Sequence, residues 1–249
     1  IIIMFQILIN SWIGIGVITF LTLLFISAPY GRHIRPGWGP LLSKRTGWIL
    51  METPALYVMW LFYFLYADFT NIILIIFLLV WSIHYTNRSI IWPLLIDKNG
   101  SIPLIVALLA FIFNVFNASF HGYWFFFMDN QYDISWLLNS NFLIGLCIFI
   151  LGMAINIHSD KILLDISKEK KGYQIPHGGF YKWISSPNYF GEMIEWIGWA
   201  IMTWSLSGFV FALWTIFNLL PRALKHHAWY KDKFSDYPKD RKAIIPKFF

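Results

Sequence analysis

Charge is what this sequence has least of. Of its 249 residues only 13% are Asp, Glu, Lys or Arg, against about a quarter in an ordinary soluble domain. Hydrophobic residues make up 58% and aromatic residues 20%. That shortage of charge excludes a water-soluble globular domain and a disordered chain alike. Cysteine is almost missing. The single Cys147 rules out an intramolecular disulfide framework and any Cys-built zinc or iron–sulfur cage, and among Leu, Ile and Phe it reads as packing. His226-His227 has no acid at metal-ligand spacing, so no metal site is expected. There is no P-loop, no HExxH and no GxSxG. Gly14 and Gly16 begin like a dinucleotide fingerprint, but Thr19 stands where the third glycine belongs and no strand precedes them. A nucleotide, if bound, must be held by polar side chains and loops. No internal repeat occurs, nor the two-fold similarity of many transporters.

What is present is a series of long apolar runs, and about 20 such residues cross a bilayer as a helix. The runs predict seven membrane-spanning helices at roughly 3–27, 48–67, 71–92, 102–128, 134–157, 181–204 and 207–229. The fold class is therefore all-α, an integral membrane bundle. The first run carries no ionisable group from Ile3 to Ser27 and is too long for a signal-peptide core. The chain starts at Ile1, and a short preceding segment is expected. Only Ser205-Leu206-Ser207-Gly208 separates the last two runs.

The basic residues orient the bundle. Arg32, Arg35, Lys44 and Arg45 follow the first run, Arg88 and Lys98 follow the third, and Lys161, Lys168, Lys170, Lys171 and Lys182 follow the fifth. Arg222, Lys225, Lys231, Lys233, Lys239, Arg241, Lys242 and Lys247 lie after Leu220, which accounts for all 19 Lys and Arg. The opposite side shows only Asp68, Asp129 and Asp133. By the positive-inside rule the N-terminus lies outside and the C-terminus in the cytoplasm. The net charge of +6 is then a matter of topology, with a possible anionic ligand on that face. No separate basic domain exists for nucleic acid.

Polar groups inside apolar spans are costly and point to function. Glu52 lies near the start of the second run, His84 and Tyr85 in the third, Asn114, Asn117 and His121 in the fourth, and Asn156 and His158 at the end of the fifth. Asn188, Glu192 and Glu195 share a helical face, Asn156 and Asp160 are four apart, and Arg222, His226 and Tyr230 form one stripe. The simplest packing turns these faces towards one polar cavity open to the cytoplasmic side. Simpler roles stay open: Asn114 and Asn117 as interhelical hydrogen bonds, Glu192 or Glu195 as a partner of a basic residue, and Glu52 as a carboxylate at a helix start.

Several segments carry a resemblance. They are Asn156-Ile157-His158-Ser159-Asp160, Gly172-Tyr173-Gln174-Ile175-Pro176-His177-Gly178-Gly179, Ser186-Pro187-Asn188-Tyr189-Phe190-Gly191-Glu192, Glu195-Trp196-Ile197-Gly198, and the tail from Tyr237-Pro238-Lys239 to Pro246. With Tyr30-Gly31-Arg32-His33, Glu52 before Pro54, and His84-Tyr85 with Arg88, the chain resembles the steroid 5α-reductase family over nearly its whole length.

The resemblance implies an NADPH-dependent reductase of the Δ4 double bond of 3-oxo-Δ4-steroids. Hydride goes to C5 and a proton to C4. Tyr85 and Glu52 are implied as the catalytic pair: Tyr85 donates to the ketone oxygen, and Glu52 donates directly or orients Tyr85. The implied cofactor contacts are Tyr30, Arg32, His33, Arg88, Asn156, Asp160, Tyr173, Asn188, Glu192, Arg222, His226 and Tyr230. Leu164 and Ser167 stand where the family has basic residues, leaving Lys168, with Lys170 and Lys171, as substitutes. Residues 1–130 are expected mainly to form the substrate pocket and 131–249 the NADPH region, in one domain. The expected partners are a steroid or related lipid enone and membrane lipid, and the expected state is a monomer. The membrane is a bacterial inner membrane or the endoplasmic reticulum. Alternatives are a reductase of another lipid enone or polyprenol, and an S-adenosylmethionine-dependent membrane methyltransferase of the isoprenylcysteine type, which would not need the Glu52–Tyr85 pair.

Overall fold

The structure is a computed structural model that describes residues 2–96, 100–128, 132–169 and 172–248. Lys98, Asp129, Lys170 and Lys171 of the charge pattern lie outside the described residues. Among the described residues seven long helices follow one another: α1 (Ile2–Phe25), α2 (Lys44–Tyr66), α3 (Ile72–Leu95), α4 (Leu104–Phe127), α5 (Ser140–Glu169), α6 (Pro187–Thr203) and α7 (Leu206–Lys233). Six of them are long and apolar enough to cross a membrane. The exception is α6, with 17 residues, about 25 Å of helix against a hydrocarbon core of about 30 Å. Many outward side chains on the helices are large and apolar, such as Leu21 on α1, Leu61 and Phe64 on α2, and Ile150 and Leu151 on α5. An all-α membrane bundle accounts for them, since lipid leaves no reason to hide such groups.

Several boundaries differ from the sequence expectation for identifiable reasons. Helix α5 begins at Ser140, because Asp133 caps a separate 3₁₀ turn over Ile134–Leu138 by accepting from the Ser135 backbone N–H at 2.8 Å. It then runs on to Glu169, well beyond 157. Helix α6 starts at Pro187 and not at 181. Proline fits the first helical turn, where its missing N–H costs nothing. The break before α7 falls at Trp204 and Ser205, one residue earlier than the predicted bounds. Trp204 takes a left-handed conformation (φ 45°), and the Ser205 hydroxyl caps α7 by accepting from Gly208 N–H at 3.0 Å. A strand pair that the sequence did not suggest, β1 (Leu41–Ser43) with β2 (Ser101–Pro103), runs antiparallel with Leu42 opposite Ile102.

The chain forms two compact units. One contains α1 and the chain from Ile144 onward, and the other runs from Ala28 to Leu143. In the first, glycines bring α5 and α6 into backbone contact. A methyl group on Gly145, Gly152, Gly191 or Gly198 would overlap backbone atoms of Met202, Glu195, Asn156 or Phe149 respectively. Both glycine pairs are seven residues apart, so each pair lies along one helix face. In lipid, where apolar burial gives little drive to associate, such close approach supplies the packing energy. Helix α1 joins the same unit through α7: Trp12 meets Trp214 at 5.0 Å, Phe20 meets Phe217 at 5.3 Å, and the Trp214 indole donates to Trp12 O at 3.1 Å.

In the second unit α2 lies against α3 and α4. The Trp81 indole of α3 donates to Ala55 O of α2 at 2.9 Å, and Trp60 of α2 donates to Ser82 of α3 at 3.0 Å. Gly122 of α4 admits the Phe62 ring of α2. Beyond the spans, Asn71 caps α3 and its amide donates to Tyr132 O at 2.7 Å. Burial pushes the Tyr132 phenol up to about 12.

Candidate active site

The glycine seam decides what faces what in the first unit. Because Gly191 sits on the backbone of Asn156, the polar ends of α5 and α6 meet one turn further along. The Asn156 amide donates to Asn188 O at 3.0 Å and to a Glu192 carboxyl oxygen at 3.3 Å. The Asn188 amide donates to an Asp160 carboxyl oxygen at 3.0 Å. Four residues singled out by their spacing therefore form one hydrogen-bonded cluster. Asn156 and Asp160 are buried and Glu192 is half-buried. Glu195, three residues on, is fully buried at the seam itself.

The stripe on α7 reaches α6 through Tyr189. The Arg222 guanidinium stacks 5.0 Å above the Tyr189 ring and donates to its hydroxyl at 3.0 Å, and His226 packs on the same ring at 5.4 Å. Tyr189 is a residue that sequence reasoning missed. It lies next to Asn188 but about 100° round the helix, off the polar face that the spacing marked. Tyr230, the last residue of the stripe, is buried and stacks nearly parallel on Tyr237 at 5.3 Å.

The C-terminal tail fixes the entry to α6. Ser185 and Ser186 donate their backbone N–H groups to Lys242 O (2.8 Å) and Ala243 O (3.2 Å), beside a parallel bridge between Ile184 and Lys242. The Ser185 hydroxyl donates to Lys242 O at 3.0 Å and meets His227 Nδ1 and the Tyr237 hydroxyl at 2.6 Å each. A carbonyl only accepts, so the Ser185 proton is committed and the other two groups donate to Ser185. Two expected contacts lie apart from these. Tyr173 is half-exposed and packs edge-on against Trp229 at 5.1 Å, and Lys168 is exposed in the last turn of α5.

The remaining candidates belong to the second unit. Arg32 and His33 occupy the 3₁₀ turn that Gly31 opens with φ 60°, and Tyr30 precedes it in an extended conformation. Arg88 is buried in the π-helical stretch of α3, 4.7 Å over Trp48 and 5.7 Å from Trp92. Tyr85 is buried on α3, its ring 4.7 Å from Trp81, which is itself bonded to α2 and packs 4.6 Å from His121. His121 Nδ1 lies 2.8 Å from Asn117 O, which makes it the protonated nitrogen of the ring.

Glu52 is half-buried on α2, one residue before Thr53 and two before Pro54. The Asn114 amide of α4 donates to Met51 O at 2.7 Å and to a Glu52 carboxyl oxygen (Oε2) at 3.3 Å. The interhelical role left open for Asn114 is present, and one of its two partners is the candidate catalytic carboxyl. The signal was the run Asn114, Asn117, His121 on one face of α4. All three are buried.

The family model for 3-oxo-5-alpha-steroid 4-dehydrogenase matches residues 100–249. Among relatives, the protein called steroid 5-alpha-reductase DET2 of Gossypium hirsutum is 44% identical over 237 residues, 92% of this chain and 91% of that protein. The protein of the same name in Arabidopsis thaliana is also 44% identical, covering 92% of this chain and 90% of its own length. The 3-oxo-5-alpha-steroid 4-dehydrogenase 1 of Bos taurus is 38% identical over 249 residues, 94% of this chain and 92% of that protein. The matched segment exceeds half of the sequence and the likeness extends over nearly all of it, so the chain belongs to the 3-oxo-5-alpha-steroid 4-dehydrogenase family.

Proposed function

We propose that this chain is a membrane-embedded steroid 5α-reductase that uses NADPH to reduce the Δ4 double bond of 3-oxo-Δ4-steroids. The observation that carries the reading is the buried phenol Tyr85 in the same apolar unit as Glu52, a carboxyl held by an amide. Ionisable groups in such a setting are kept for function.

The chemistry follows from what the side chains can do. Adding hydride at C5 of a conjugated ketone drives negative charge onto the C3 oxygen, and a hydroxyl donor stabilises that oxygen best where water is excluded. The Tyr85 hydroxyl donates to the oxygen. Glu52 donates alongside it, or orients it, and C4 takes up a proton as the enolate collapses. One such donor contributes on the order of 2.7–4 kcal/mol to lowering the barrier.

The donor set fits a dinucleotide. Asn156, Asp160, Asn188 and Glu192 together offer amide donors and carboxyl acceptors of the kind a carboxamide or ribose hydroxyls need. Arg222 presents a planar fork, aligned by Tyr189, that suits a phosphate. His226 and Tyr230 continue that stripe, and Lys168 and Tyr173 of the same unit are further candidate contacts. Bound there, NADPH supplies the hydride. The distribution of Lys and Arg supports a cytoplasmic C-terminus and an outer N-terminus, so that the cofactor arrives from the basic side. The fold supports a multi-pass location, and lipid supplies the apolar substrate.

The test uses the purified protein in detergent with NADPH and a panel of Δ4-3-ketones such as testosterone and progesterone. The proposal expects loss of absorbance at 340 nm, with a product two mass units heavier than the substrate. Nucleotide left unconsumed across the panel, with S-adenosylmethionine binding instead, would replace it by the methyltransferase reading.

A further inference from the structure

The Asn114 amide has two hydrogens and, in the structure, two carbonyl-type acceptors. One is Met51 O, at 2.7 Å, a fixed point of the α2 backbone just before Pro54. The other is Glu52 Oε2, at 3.3 Å. Asn114 is itself buried, so neither hydrogen is readily taken by water. An oxygen that receives an N–H bond is an acceptor. The geometry thus does more than tie two helices together. It fixes one oxygen of the acid as an acceptor and with it the rotation of the carboxyl.

We propose that Asn114 is a positioning residue. By clamping Oε2 to the α2 backbone it aims the Oε1 side of Glu52 at the ketone and its Tyr85 donor. This rests on the reading of Glu52 as a catalytic carboxyl. The rest of the polar face of α4 agrees with a built arrangement. His121, two turns on, packs against Trp81, and Trp81 packs against Tyr85. One helix therefore supports both members of the pair, Glu52 by hydrogen bonding and Tyr85 through successive tilted ring contacts. A hydrogen bond used only to hold α4 to α2 would be complete at Met51 O. The second bond, to the carboxyl, calls for the further role.

The experiment is a double-mutant cycle on the full-length protein, with kcat, KM for the steroid and Kd for NADPH measured on each variant. Asn114→Leu is expected to lower kcat about tenfold or more and to leave NADPH affinity within about twofold. In a Glu52→Ala background the same change is expected to have almost no further effect, because the group it positions is gone. Should leucine prevent folding, Asn114→Ala serves in the same cycle, with NADPH binding as the check of a native fold. If Glu52→Ala is impaired and the two losses multiply, Asn114 acts as scaffold alone and the proposal is overturned. A kcat for Asn114→Leu equal to that of the unmodified protein overturns it as well. If instead Glu52→Ala keeps full turnover, the catalytic reading of Glu52 fails first, which is a distinct result from either of these.

Discussion

The two units build their polar sites by opposite means. In the unit of α1, α6 and α7, main chains touch. Glycines at 145, 152, 191 and 198 remove the side chains between α5 and α6, and Asn156, Asp160, Asn188 and Glu192 meet as a consequence. In the unit of α2, α3 and α4, side chains do the work, through the rings of Trp81, Tyr85 and His121 and the amide of Asn114. The first arrangement is set by backbone and tolerates no bulk. The second depends on a few bonds whose loss need not unfold the protein. The difference would suit the two tasks proposed for them: holding a large, many-handled cofactor, and steering charge on one oxygen.

The harshest way to break that contrast is at the seam. Gly152→Leu would drive a side chain into the backbone of Glu195, and we expect no folded protein in fluorescence-detected size exclusion. Gly14→Leu, on α1 where a Cβ would meet nothing within 4 Å, should be accepted. Equal behaviour of the two variants would refute the seam. Next in size is Tyr85→Phe, which removes one hydroxyl from the other unit. We expect kcat to fall about 10²- to 10³-fold with the protein folded and NADPH affinity unchanged by titration. A smaller effect should follow Asn188→Leu, which strips the donor to Asp160. NADPH affinity should weaken about 10- to 100-fold by fluorescence titration, as expected for losing one to two hydrogen bonds to charged or ordered groups, with the melting temperature little changed.

The smallest effect lies outside both sites. The Ser135 hydroxyl, followed by the Ser135 backbone N–H, holds the Asp133 carboxyl below the ordinary carboxylate value. A depressed folded-state value means the contribution is full above the ordinary value and is lost as pH falls through the depressed one. Asp133→Ala should lower the melting temperature slightly at pH 7, and the difference should vanish on acidification well below the ordinary carboxylate value. A difference that grew in acid would contradict that sign.

The sequence made the spans visible because apolar runs and bilayer thickness are matched. It was less informative where a helix leaves the membrane. Asn156 and His158 read as the end of α5, whereas the helix continues to Glu169, since helical hydrogen bonding needs no apolar surroundings. The start of α6 is signalled by Ser186-Pro187, since proline fits a first helical turn, six residues after the predicted start at 181. Spacing alone brought Asn156, Asp160, Asn188 and Glu192 to notice, because i and i+4 positions share a face whatever they pack against. Tyr189 could not be found in that way, and Asn114 could be noticed but not paired. Their partners, Arg222 and Glu52, are 33 and 62 residues distant, and only folding joins them.

Where the hydride lands tests the central claim most directly. With NADPH carrying deuterium at C4 of the nicotinamide and testosterone as substrate, mass spectrometry and deuterium NMR of the product should find the label at C5, in a 5α-dihydro steroid. The same label should be almost undetectable with Tyr85→Phe under matched conditions. Label at C3, as in an alcohol formed by ketone reduction, or undiminished C5 labelling by Tyr85→Phe, would contradict the account.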